Sequence, residues 1–157
     1  MSSELFIRLA AQTLHVLSAV VWVGGMFFAY FALRPAAAAV LEPPQRLSLW
    51  SRTFSLFFPW VWASMGILLV TGFWMMFTSF GGWQAPPYVH MMLGTGILMM
   101  LVYLHVYFGP YRRLRRAVEA QDWQQGGRSL SQIRWLVGAN LLLGLFVIVI
   151  GSGGRFL

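Results

Sequence analysis

Residues 9–33 read LAAQTLHVLSAVVWVGGMFFAYFAL, 25 positions without an Asp, Glu, Lys or Arg. A helix rises about 1.5 Å per residue, so a run of this length crosses the roughly 30 Å hydrocarbon layer of a bilayer. Three more stretches share the character: 53–84, 87–111 and 135–154, of 32, 25 and 20 residues. Of 157 residues, few are then left for an aqueous domain, and with 10% charged against 59% apolar side chains the chain cannot clothe a soluble surface. The expected fold is all-α, an integral membrane four-helix bundle forming a single transmembrane domain over residues 1–157. Its helices are expected at about 5–34, 50–80, 87–109 (with an extension to about 121) and 130–154. The first apolar run exceeds the roughly 7–15 residues of a signal-peptide core, and its leader carries Glu4 and no basic cluster, so it is read as a retained helix. The absence of cysteine excludes disulfides, thiolate metal sites and cysteine nucleophiles.

All eleven basic residues are Arg, and their placement sets the expected orientation. The connection between helices three and four holds Arg112, Arg113, Arg115, Arg116, Arg128 and Arg134 against Glu119 and Asp122, a net of +4. The connection between helices one and two holds Arg34, Arg46 and Arg52 against Glu42, a net of +2, whereas residues 79–88 carry no charge. Basic connections stay on the cytoplasmic side, so both termini and the Gly81-Gly82-Trp83 loop are expected to face the periplasm of a bacterial-type inner membrane. The net charge of +7 thus calls for no nucleic acid partner, and the Arg112–Arg116 cluster reads as a topology and headgroup anchor. Pro86-Pro87 open helix three, where a missing N–H is harmless, Pro59 falls inside helix two, and Gly126-Gly127 read as a break before helix four.

Inside the apolar runs the groups able to do chemistry are His15, His90 and His105, because all four acids lie outside them. His15 stands seven residues past Arg8, and His90 three past Pro87, so both are expected roughly 10 and 5 Å below the outer surface. His105 lies 15 residues beyond His90, roughly 22 Å deeper, and belongs to the opposite half, as a candidate for a second metal site. Two imidazoles facing each other across a four-helix bundle form the axial set of a haem b, which makes His15 and His90 candidate iron ligands. Trp22 and Gly25 follow His15 at helical spacing and Gly94 lies one turn from His90, the setting for a flat macrocycle; Arg8 and Arg155 stand near the outer surface, where propionates would emerge. Copper is the alternative, since His90-Met91-Met92 and Met99-Met100 place soft thioethers beside an imidazole. Gly96 and Gly138 read as helix-packing positions, and Thr71 and Asn140 as interhelical hydrogen-bond partners. No Ser-His-Asp set, phosphate-cradling loop or carboxylate pair is present.

The motifs Leu14-His15-Val16 with Trp22-Val23-Gly24-Gly25, Ser51-Arg52, Thr71-Gly72-Phe73-Trp74 and Tyr88-Val89-His90 resemble the CopD-like membrane proteins. The same frame is similar to the HemJ family of haem-binding protoporphyrinogen oxidases, in which helix one carries one His and helix three carries two, the second followed by a Tyr and a Gly as in His105-Val106-Tyr107-Phe108-Gly109. That resemblance implies haem b with His15, His90 and His105 at the histidine positions. The Lys that follows the middle His by two residues in that family is Met92 here, and its second His after helix one is replaced by the Arg34-Pro35 region, so protoporphyrinogen oxidation is the less favoured activity. The CopD resemblance implies copper transport or copper resistance. The sequence reading is therefore a membrane haem b protein with an electron-transfer or oxidoreductase role, with copper handling as the alternative. Its expected partners are the lipid bilayer and a redox protein or quinone, and a homo-oligomer is compatible with it.

Overall fold

The computed structural model describes residues 3–154. Four helices long and apolar enough to cross a membrane make up the fold: α1 (Ser3–Val40), α2 (Pro43–Ser79), α3 (Pro87–Glu119) and α4 (Trp123–Gly153). The protein is a multi-pass, all-α membrane bundle, and no strand occurs among the described residues.

Each helix starts and stops for a local reason. Leu41 takes an extended conformation and ends α1. Glu42 then caps α2 reciprocally with Gln45, while Pro43 and Pro44 occupy the first turn, where no N–H is needed. The Gly81 and Gly82 pair after α2 adopts φ of +80° and +67°, a left-handed turn that a side chain resists. Gln121 at φ +55° closes α3, and the Asp122 side chain accepts the Gln125 N–H at 2.9 Å to open α4. Gly126 and Gly127 therefore lie inside α4 and do not break the chain as expected; the break falls at Gln121 and Asp122, where the Asp cap outcompetes a glycine pair as a start signal. Helix three runs through Pro110 into its expected extension, and the wider π turn Tyr107–Tyr111 absorbs the missing hydrogen bond. A second π turn, Ala29–Leu33, sits near the same end of α1.

α1 packs along α2, and α3 along α4, while α1 and α3 stand on the diagonal of the bundle. Glycines let the helices close: a Cβ at position 144 would lie 2.8 Å from Val23 and 3.1 Å from the Met99 methyl. A Cβ at position 138 would lie 3.0 Å from the Tyr30 ring, whereas at Gly96 it would meet nothing within 4 Å. The buried centre holds Trp22, Met26, Phe58, Val61, Met65, Met99 and Tyr103. Large apolar side chains such as Phe6, Phe28, Trp60, Val70 and Leu142 point outward, as they must where lipid replaces water. The Tyr103 hydroxyl donates to the Phe58 carbonyl at 3.3 Å, beside Pro59, so α3 supplies a polar contact where α2 carries its proline.

Candidate metal-handling site

His15 is half-buried on α1 and faces α2. Its Nδ1 lies 2.8 Å from the Thr71 hydroxyl, and that hydroxyl lies 2.6 Å from the Ile67 carbonyl one turn back along α2. A carbonyl oxygen only accepts, so the single hydroxyl proton of Thr71 is committed to Ile67. Thr71 must then accept from His15 Nδ1–H, which leaves the Nε2 lone pair of the neutral imidazole free. This is the arrangement by which an outer hydrogen bond orients a metal-binding histidine. Gly72 completes the seat: a Cβ there would stand 3.3 Å from His15 Cε1.

His90 is half-buried near the start of α3, on the helix diagonal to α1, and no hydrogen bond links it to His15. His105 is exposed, on a stretch of α3 whose neighbours Tyr103 and Val106 are buried. The α3 face towards the core carries Met99, Tyr103 and Val106. Among the described residues no group of three or more His, Cys, Asp or Glu comes together.

The other expected cofactor residues take varied positions. Trp22 is 3% exposed and packs edge-on against Tyr103, with ring centroids 6.1 Å apart. At Gly25 the space of a Cβ is filled by the Phe57 ring, and at Gly94 the same space is open. Arg8 is exposed on the first turns of α1, and Arg155 lies outside the described residues.

The chain also carries buried soft side chains. Met26, Met65, Met76, Met99 and Met100 are all buried, and the Asn140 side-chain amide donates to the Met26 sulfur at 3.8 Å. Thioethers and a neutral imidazole suit copper(I), and no thiol competes with them. Met91 is exposed, and Met92 packs on Gly151, its methyl 3.0 Å from where a Cβ would be. Thr71, expected as an interhelical hydrogen-bond partner, meets His15; the signal in the sequence is the Thr-Gly pair, a hydroxyl acceptor next to a position without a side chain.

No curated protein and no solved structure matches the chain. The family described as copper resistance protein D matches residues 51–153, a segment that contains Thr71, Gly72, His90 and His105 and covers more than half of the chain. With four apolar helices and a family match over more than half of its length, the chain belongs to the CopD family of copper resistance protein D.

Proposed function

We propose that this protein handles copper(I) within the bacterial-type inner membrane, with His15 as a ligand through Nε2. The observation that carries the reading is the His15–Thr71–Ile67 chain of hydrogen bonds, which presents an unprotonated ring nitrogen inside an apolar bundle. Family membership supports copper handling; the match begins at residue 51, so the role of His15 rests on its hydrogen bonds, with the buried methionines as further soft side chains. Copper is the cargo here, and the protein's part is to strip it of water, accept it on soft donors and keep it from solution. Transport or storage then depends on how readily the thioethers exchange the ion, because neutral ligands bind copper(I) without trapping it by charge.

A second reading, a haem b protein with an electron-transfer role, rests on His90, a second half-buried imidazole on the diagonal helix. The purified full-length protein separates the two. Copper-grown cells should yield protein that holds copper(I) in competition with a chromogenic chelator, that loses it in His15→Ala, and that shows no b-type bands in a reduced-minus-oxidised spectrum. Sharp b-type bands that vanish in both His15→Ala and His90→Ala would replace the copper reading with haem.

A further inference from the structure

At the arginine-rich end of the bundle, the π turn of α1, the first turns of α2 and the first half of α4 enclose a cleft of about 620 Å³. Arg34, Arg46 and Arg134 line it. The first two are close enough for their charges to act on the third. No carboxylate among the described residues pairs with any of them: the ion pair present is Arg115–Glu119, at 3.8 Å on the exposed side of α3. Glu42, the acid closest in sequence, has its side chain engaged in capping α2.

Three guanidinium groups around one cavity, without a counter-charge from the protein, repel one another unless an anion lies between them. The cleft is also built in advance. The Arg34 guanidinium stacks over the Tyr30 ring at 5.1 Å, and Tyr30 is seated against the bare backbone of Gly138. Trp50 and Trp123 form an apolar wall. The π turn that carries Tyr30 is the kind of local widening that recurs at functional sites.

We infer that this cleft binds phosphate, and that in the membrane the phosphate is the headgroup of an anionic phospholipid. Planar guanidinium forks match phosphate oxygens two at a time. Basic pockets between helices at a membrane surface suit headgroups with more than one negative charge, so a diphosphatidylglycerol fits three arginines better than a singly charged lipid. Its acyl chains would lie along the exposed Phe27 and Phe31 of α1. The site is independent of His15 and of the metal.

The test is native mass spectrometry of the full chain in a neutral detergent, with diphosphatidylglycerol, phosphatidylcholine or pyrophosphate added. Diphosphatidylglycerol should bind roughly tenfold or more tightly than phosphatidylcholine. The combined variant R34Q/R46Q/R134Q should lose that preference, and R112Q/R113Q/R116Q, with the same loss of charge at the same end, should keep it. Equal binding by the cleft variant, or equal loss in the control, overturns the site. Displacement of the lipid by equimolar pyrophosphate overturns the lipid as its source. If the combined variant does not fold, Arg46→Gln should weaken lipid binding more than Arg52→Gln, an exposed position on the same helix, and no difference between the two overturns the proposal.

Discussion

The Thr71 hydroxyl accepts from His15 Nδ1–H across the α1–α2 interface at 2.8 Å. That single contact converts an imidazole on an apolar helix from an interfacial polar group into an oriented donor, because it decides which nitrogen is free.

Thr71→Val removes the acceptor and keeps the shape, so His15 loses its preferred tautomer while the helices still pack. Copper(I) affinity should fall by about 10–100-fold, the usual consequence of losing an outer hydrogen bond to a metal-binding histidine. Thr71→Ser should restore most of it. Equal chelator competition by the Val variant and the parent protein would separate Thr71 from metal binding.

Gly72→Ala tests the seat of the ring. The added methyl would press on His15 Cε1 from 3.3 Å, closer than an ordinary contact, so the imidazole must shift by a few tenths of an ångström. Affinity should drop, by less than in Thr71→Val, with thermal stability almost unchanged. A larger loss of stability than of affinity would mean that Gly72 serves packing.

Gly144→Leu targets the bundle itself. Val23 and the Met99 methyl already occupy the side-chain space at this position, so α1 and α3 must both move away from α4. Overpacking of this kind destabilises by about 1–3 kcal/mol. The melting temperature in detergent should fall clearly, whereas Gly94→Ala, which meets nothing within 4 Å, should leave it in place.

Tyr103→Phe deletes one buried interhelical hydrogen bond, to the Phe58 carbonyl, and keeps the ring contacts with Trp22 and Phe58. Such bonds in membrane proteins contribute about 0.6 kcal/mol on average. A small decrease in melting temperature is expected. A decrease as large as that of Tyr103→Ala would place the role of Tyr103 in that bond and not in its ring.

Orientation follows from the arginines. A reporter fused to the C-terminus should behave as periplasmic, and one inserted at Gln121, in the turn between α3 and α4, as cytoplasmic. Activity in the opposite pattern would invert the membrane placement of His15 and of the arginine cleft together.

The linear sequence determined that this chain crosses a membrane four times, because apolar run length and charge position act through the solvent and require no knowledge of neighbours. It also singled out His15, since an ionisable group inside an apolar run stands out whatever the fold. Helix ends were legible only in part: the extension of α3 to about residue 121 was expected, but Asp122 outcompeted Gly126-Gly127 as the start of α4, because caps depend on hydrogen bonds the sequence does not display. The tertiary structure alone decided which helix faces which. It set His15 against Thr71, 56 positions away, turned His105 outward, and gathered Arg34, Arg46 and Arg134 from two connections into one cleft. The physical reason is that helical period fixes angles within a helix, whereas the rotation of one helix against another is chosen by close packing at glycines and large side chains on both.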